Sequence, residues 1–458
     1  MSRQSTSQQL VRLIAQAVTD LEEDTSTQLP GATTTELNLP VVAPEDDLEA
    51  TPKRRSAIRN LKGAVHQLLA TLLPVGIHVE EIYYSHLQTV AIDTVIKGRI
   101  ADLIHSIDPE SNKGGVHVHL LAQKAGMDPR KLTHILRFLA VRNIFCELNP
   151  LHWGNNRCSL PLRTDSPNSL LHLFVHMRDS VSMPALVAFP DVLLDNHGGG
   201  ASSSDPNESA FQRYYKPGCD YFSWLAASED NIKAKTFAKA MVETTRSNGT
   251  SGSAHYKAFD WKGLGPKGTL IDVGGGIGAA AYAVSAHLPE WKIVIQDRPE
   301  VIQAGKEEYR NVGSKANIEF EELDFFRDQP PHRIENADAY FLRHILHDWP
   351  SHLCVQILTK LRLASKPTTR LLICETSLEP GLIEPDSPLL SNGGMATSLS
   401  HHYNLIMLSL FNAEERSRED FQELFALSGW KLQSVTTLTT FLDRFIFEGL
   451  PDPAWKEL

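Results

Sequence analysis

Residues 269–300 read TLIDVGGGIGAAAYAVSAHLPEWKIVIQDRPE. Thr269–Val273 is a short apolar run with Asp272 near its end. Gly274, Gly275, Gly276 and Gly278 then crowd a turn, Ala279–His287 is built of good helix formers, and Lys292–Gln296 is a second strand-like run closing on Asp297. Strand, glycine turn, helix, strand, acid is the unit that lays an adenosine-containing cofactor across the carboxyl ends of parallel strands. Glycines serve because the backbone must turn tightly and approach the ligand with no Cβ in the way. Asp297, about twenty residues past the turn, suits a carboxylate accepting hydrogen bonds from ribose hydroxyls. Alone, the same pattern also describes a tight turn that binds nothing.

Downstream, strand-like runs recur at 317–320, 338–342, 369–375 and 441–447 with helical segments between them, which predicts a largely parallel sheet covered on both faces. Lys431–Thr439 and Phe441–Phe447 lie so close in sequence that the sheet should end as an antiparallel hairpin.

Upstream the rhythm is helical. Gln8–Glu22 is one amphipathic helix whose polar face carries acids rather than the basic residues that meet lipid. Thr25–Thr51, rich in Thr, Pro and acids, reads as a flexible linker. Ser56–Leu73 and His78–Ile107 carry wide apolar stripes. Val116–Gly126, a turn with Asp128 as N-cap and Pro129 behind it, Asp128–Val141, and a ribbon at Ile144–Leu148 and Asn156–Leu160 trace a winged-helix outline. Lys131, His134 and Arg137 would face DNA if this were a regulator. No concentrated basic stripe supports that, so dimerisation or substrate lining is the better reading. Ser166–Met183, Met183–Leu194 (broken at Pro184 and Pro190) and Phe211–Thr244 are further helical stretches, with loops at Asn196–Asn207 and Asn248–Ser253.

The bulk properties exclude several classes. A chain of 458 residues has room for two domains, and its net charge of −11 argues against nucleic acid or anionic membrane as a partner. Five scattered cysteines without a C-x-x-C pair point to a reducing compartment and to neither a disulfide framework nor a zinc site. No metal-ligand spacing is apparent. The polar N-terminus lacks the apolar core of a signal peptide, and the protein is expected in the cytoplasm.

The chemistry concentrates in YFLRHILHDWP, Tyr340–Pro350, where strand meets helix at the ligand-binding edge of such a sheet. A histidine there can act as general base on a phenol. His347 lies next to Asp348 and Trp349, with Arg343 one helical turn upstream, and His344 and His352 show that the residue type alone decides nothing.

DVGGGIG (272–278), the acid in IQDRPEVI, LDFF (323–326) and RHILHDW (343–349) occur in order and resemble the plant- and fungal-type S-adenosylmethionine-dependent O-methyltransferases, the caffeate, flavonoid and aromatic-polyketide group. The likeness runs from about Ala57 to Leu450 and is strongest over 269–350. It implies a Rossmann-like seven-stranded methyltransferase sheet, α/β and mostly parallel with an antiparallel last strand, preceded by a helical winged-helix dimerisation domain. It further implies that Gly274, Gly276 and Gly278 face the methionine part of S-adenosyl-L-methionine, that Asp297 holds its ribose, and that Asp324 and Phe325 flank its adenine. Arg343 stands where the family often has lysine near the cofactor. His347 matches the catalytic base, and Glu375 and Glu415 match the acids that brace it. No metal is called for.

Three positions depart from the family. FNAEERS offers both Glu414 and Glu415 for the second acid, with Glu415 favoured because Arg-Ser follows it; Arg343 replaces a point charge by a planar fork; Asn404 stands where an acid is usual. Met183, Phe222, Trp224, Met407 and Phe411 are candidate apolar contacts for a flat substrate ring, although such side chains more often serve core packing.

The expected organisation is an amphipathic helix plus linker over 1–55, a winged-helix-like dimerisation domain over 56–165, a helical connector lining the substrate over 166–255, and the cofactor-binding catalytic domain over 256–458. The expected activity is methyl transfer to a hydroxyl of an aromatic small molecule in secondary metabolism, by a homodimer without nucleic-acid or membrane partners. The alternative is a pericyclase or dehydratase of the same fold that keeps the cofactor and abandons methyl transfer. A nicotinamide oxidoreductase would account for the glycines but not for HDW.

Overall fold

The computed structural model describes residues 5–457, except 33, 112, 179–181, 196–201, 248–251, 313–315 and 443, and gives only the backbone of 182–184, 311 and 312. The expected loop at 196–207 and break at 248–253 thus fall largely outside the described residues. The chain divides into two compact units, one of Met1–Ser180, Phe222–Gly249 and Ile383–Ala396, the other of Val181–Tyr221, Thr250–Leu382 and Thr397–Leu458. The segment 166–255, expected as a single connector, is therefore shared between them.

In the first unit, α1 (Thr6–Gln28) starts at a capping box on Ser5 and runs six residues past its expected end at Glu22. It packs on α2 (Pro52–Leu72) through Asp24, which is buried and accepts from Thr51 Oγ1 at 2.6 Å and Arg54 Nη1 at 3.3 Å. The stretch between these helices is not the free linker its composition predicts. Glu45 accepts the Thr35 N–H at 2.5 Å, and Arg157 reaches Asp46 at 2.6 Å, so the acids that read as solvated find a fixed cation. The apolar stripe at 78–107, expected as one helix, is three: α3 (Val75–Tyr83), α4 (His86–Lys97) and α5 (Ile100–Ile107). Arg99 separates the last two with φ +50°, a left-handed conformation that ends a helix whatever the periodicity around it.

The winged helix follows as β1 (Val116–His117), α6 (Val118–Ala125), α7 (Pro129–Ala140), β2 (Cys146–Asn149) and β3 (His152–Gly154), with the three strands in order β1-β3-β2. Asp128 caps α7 as expected. Asn156–Leu160 is not the second ribbon strand. Asn156 and Ser159 cap one another's N–H groups at 3.0 Å and set a 3-10 turn over Arg157–Leu162. Arg137, which a DNA-binding reading needs free, is paired to Glu147 at 2.8 Å. α8 (Leu171–His176) is shorter than its apolar stretch.

In the second unit, α9 (Ser182–Leu193) carries Pro190 inside it rather than breaking there. The aromatic stretch from 211 is not one helix but α10 (Ala210–Tyr215), α11 (Tyr221–Ala226, shared with the first unit beyond Tyr221) and α12 (Ile232–Ser247, in the first unit). The sheet then forms from β4 (Thr269–Val273), α13 (Ala279–Ser285), β5 (Lys292–Asp297), α14 (Pro299–Val312), β6 (Ile318–Glu322), β7 (Ala339–Arg343), α15 (Ser351–Leu363), β8 (Arg370–Thr376), α16 (Ser398–Phe411), α17 (Arg418–Leu427), β9 (Trp430–Thr437) and β10 (Arg444–Pro451). Its seven strands run in order β6-β5-β4-β7-β8-β10-β9, parallel except that β10 is antiparallel to both neighbours.

Alternation along these strands builds a core on each face. Ile271, Tyr340, Leu342 and Ile373 bury one face, and Leu270, Phe341, Leu372 and Cys374 bury the other. The chain order reverses direction between β4 and β7, so their carboxyl ends open the crevice in which ligands of such sheets bind. Among the described residues no helix is long and apolar enough to cross a membrane.

Candidate active site

The glycine turn leaves β4 directly above the sheet. Gly274 has φ +68° and lies so close to the end of β7 that a methyl group on it would stand 2.5 Å from Ile345 Cδ1 and 3.6 Å from Phe325 Cε1. Gly276, at φ +60°, has nothing within 4 Å of that direction and donates its N–H to Asp297 Oδ2 at 2.8 Å. Asp297 Oδ1 takes the Arg298 N–H at the same distance. Burial raises the pKa of Asp297 despite these two bonds. Each of its oxygens keeps a lone pair for a hydroxyl donor. Phe325 turns its ring edge to Trp349, 5.8 Å between centroids, while Asp324 is exposed and caps the Phe326 N–H at 2.9 Å. The glycine turn, Asp297, Asp324, Phe325 and Arg343 thus lie at or just past the carboxyl ends of β4, β5, β6 and β7.

Past β7 the chain makes a 3-10 turn, Leu346–Asp348, that presents His347. Both ends of the turn are clamped. Glu375, fully buried at the end of β8, accepts the N–H groups of Ile345 and Leu346 on Oε1 at 2.9 and 3.0 Å. Arg416, 1% exposed, donates to the carbonyls of Leu346 and Trp349, both at 2.7 Å. His347 Nδ1 meets Glu415 Oε1 at 2.8 Å and stands 4.0 Å from Glu375 Oε2, while its Nε2 faces Asp348 Oδ1 at 3.6 Å. Glu414 is exposed, so between the two candidate acids the geometry selects Glu415. Asn404 on α16, in place of the usual acid, accepts the Glu415 N–H at 2.9 Å.

Burial alone would lower the basicity of His347, but the carboxylates of Glu415, Glu375 and Asp348 outweigh it and lift the imidazole to about 10. The carboxyls respond oppositely: burial raises Glu375, and it pushes Asp348 up to about 6 against the pull of His347. Because Glu415 accepts from Nδ1, the neutral ring keeps its lone pair on Nε2. No metal spacing was legible in the sequence, yet in space His347, Glu375 and Glu415 each bring one ligand atom within 4.8 Å of the others. His347 Nδ1 is already bonded to Glu415, whereas Glu375 Oε2 and Glu415 Oε2 are buried without a hydrogen-bond partner among the described residues.

Of the apolar candidates, Met407 and Phe411 lie on α16 with Asn404. Phe411 is 8% exposed and meets Tyr221 edge-on at 5.3 Å. Phe222 and Trp224 belong to the first unit, where Phe222 packs on Phe237 at 6.1 Å and Lys233 Nζ lies 3.5 Å over the Trp224 ring. The Met183 side chain lies outside the described residues. Sequence reading placed Asp348 beside His347 without giving it a role, and it passed over Arg416 as the clamp of the turn. A basic residue directly after the candidate acid was the signal for the second.

The profile of the O-methyltransferase domain family matches residues 201–431, half of the chain. The chain belongs to the O-methyltransferase domain family. O-methyltransferase tpcA of Aspergillus fumigatus is 29% identical over 417 residues, 83% of this chain and 84% of its own. The crystal structure of LaPhzM is 27% identical with a TM-score of 0.64, covering 83% of this chain and all of LaPhzM. The O-methyltransferase NcsB1, solved with S-adenosylmethionine and 2-hydroxy-5-methyl naphthoic acid, shares the fold at 20% identity and a TM-score of 0.60, over 80% of this chain and 96% of NcsB1. This O-methyltransferase uses S-adenosyl-L-methionine, as its family does. The carboxylate of Asp297 fits that molecule's hydroxyls, and the glycine turn fits its close approach to the chain.

Proposed function

We propose that the protein methylates a hydroxyl of an aromatic, phenolic or polyketide-type small molecule in secondary metabolism, with His347 as general base braced by Glu375 and Glu415. The 2.8 Å contact between His347 Nδ1 and Glu415 carries the reading, because it leaves Nε2 as the basic atom. Gly274, Gly276 and Gly278, with Asp297, Asp324, Phe325 and Arg343, hold the cofactor, which when bound supplies an electrophilic methyl group on a positively charged sulfur. His347 Nε2 takes the phenolic proton, and Glu415 stabilises the imidazolium that results. A phenol has a pKa of about 10, so transfer to an ordinary imidazole costs about 5 kcal/mol. Lifting His347 to about 10 brings the two groups level, and because such a ring is mostly protonated at neutral pH, turnover rises with pH as its free-base form appears. Met407 and Phe411 offer a ring-sized apolar wall, and NcsB1 bound to a naphthoic acid supports an aromatic substrate.

The protein acts as a homodimer. Leu72, Val75, Val79, Ile82, Tyr83 and Val90 of the first unit are exposed, Val75 by 76% and Tyr83 by 73%, along consecutive helices. Such an unbroken apolar stripe on a soluble domain fits a second copy of the same surface.

Incubation with methyl-labelled cofactor and a panel of phenols tests the activity. Label appearing in an extracted aromatic ether supports it. Cofactor binding without label transfer across a broad panel would assign the chain to the pericyclase or dehydratase alternative.

A further inference from the structure

Arg343 pairs with Cys374 across β7 and β8, and Cys374 pairs in turn with Ile446 on β10, two residues from Arg444. Positions 343, 374 and 444 therefore share one face of the sheet, the face buried by Phe341 and Ile446. Arg444 is 3% exposed. Its Nε and Nη1, together with Nε and Nη2 of Arg343 and Nε2 of His344, are buried without a hydrogen-bond partner among the described residues. His344 is held beside them by a left-handed backbone, φ +53°, with its ring 5.4 Å from that of His347. Tyr256, 1% exposed, adds a further unpartnered hydroxyl.

Guanidinium groups are rarely buried unless paired, and burying two beside each other without an anion is costly. Among the described residues, no carboxylate comes within ion-pair distance of either one. Their surroundings point in two directions. Besides burial, Arg343 feels Tyr256, Cys374, Asp272 next to the glycine turn and Glu375 beside His347, and Arg444 feels Arg343, Cys374, Tyr403 and Glu415. The donors thus span the ground between the cofactor turn and the base.

We propose that Arg343 and Arg444 together grip a ligand carboxylate, with His344 as an additional donor. Planar guanidinium forks match a carboxylate with parallel charge-assisted bonds. Two ligands of this enzyme can bring that group: the cofactor, through its amino-acid end, and an aromatic substrate that bears a carboxyl group near its reacting hydroxyl. The inference rests on the proposed cofactor and substrate sites. Binding of S-adenosylhomocysteine to the wild-type protein tests the first of these separately, and failure of methyl transfer does not touch the carboxylate site.

The full-length protein is titrated calorimetrically with S-adenosylmethionine and decarboxylated S-adenosylmethionine, then with 1-hydroxy-2-naphthoic acid and 1-naphthol. The carboxylate-bearing member of one pair binds the wild type about ten- to a hundred-fold tighter, the worth of a charge-assisted contact. Arg444→Gln erases that preference and Arg444→Lys retains part of it. Preference lost in the first pair assigns the site to the cofactor, and in the second to the substrate. Thermal unfolding without ligand shows the Gln variant no less stable than wild type. Equal weakening of all four ligands, or a preference that Arg444→Gln leaves intact, overturns the proposal. So does a wild type that discriminates in neither pair, a result that needs no variant to fold.

Discussion

Glu415 Oε1 and His347 Nδ1 lie 2.8 Å apart although 68 residues separate them in the chain. The contact fixes which imidazole nitrogen is free and raises the basicity of the ring. Glu415→Gln keeps the size and removes the charge. The expected result is a fall in kcat/KM of about 10²- to 10⁴-fold. The rising limb of the pH profile should also move to lower pH, because one of the carboxylates that lift His347 is gone. A rate-pH profile of both forms on one phenol checks this; a limb in the same place would detach Glu415 from the base.

The same shift has a consequence for stability. The folded pKa of His347, about 10, lies above the ordinary 6.5. The native state therefore holds its proton more tightly than the unfolded chain. That contribution is complete below pH 6.5 and is lost as pH rises towards 10. Urea unfolding at pH 6.5 and 9.5 should show wild type losing more stability than His347→Gln over this interval.

His347→Ala removes the proton acceptor and leaves the glycine turn and Asp297 untouched. Turnover should disappear while the affinity for S-adenosylhomocysteine stays within about three-fold, under 1 kcal/mol. Calorimetry on the variant decides. Parallel loss of binding and activity would make the residue structural.

Arg416 is buried and holds two carbonyls of the turn that carries the base. Arg416→Ala strands both carbonyls and should cost about 3–5 kcal/mol of stability. Thermal melts of Arg416→Ala and Arg416→Lys measure it, with lysine recovering a fraction because it can reach one carbonyl and not both. A drop under about 1 kcal/mol would mean that the turn holds its shape without the clamp.

His347, Glu375 and Glu415 could in principle share a divalent ion, since one atom of each falls within 4.8 Å of the others. The bond between His347 Nδ1 and Glu415 favours a proton over a cation at that atom. Exhaustive chelation should leave kcat unchanged. Loss of activity with EDTA and its return with one divalent metal would reassign the trio.

Motifs that are continuous in sequence were legible as such. The turn at Gly274–Gly278, Asp297 and the HDW segment each pack their information into a few adjacent residues, and the structure brings them to one edge of the sheet. Glu415 was favoured over Glu414 only through the Arg-Ser that follows it, because both sit in a loop with no period. The contact with His347 and the exposure of Glu414 show which carboxylate faces inward. Arg444 was silent because a cation at the start of a terminal strand reads as surface; the register with β8 is what places it inside. The stripe from 78 to 107 misled for the reverse reason. Periodicity survives a single left-handed residue, so Arg99 leaves no mark on it. The acids at 45 and 46 looked solvated because their partner, Arg157, is more than a hundred positions away.

Asp297 adds a side-chain tie between two pieces of chain that the Gln296 carbonyl already joins: the glycine turn through Gly276 and the exit from β5 through Arg298. One carboxylate thereby couples the position proposed for the ribose to the turn proposed to face the amino-acid end of the cofactor. A nucleoside that pulls on Asp297 also pulls on the turn. The pocket is thus gauged like a caliper to the full length of its cofactor, and fragments from either end should bind less well in sum than the intact molecule.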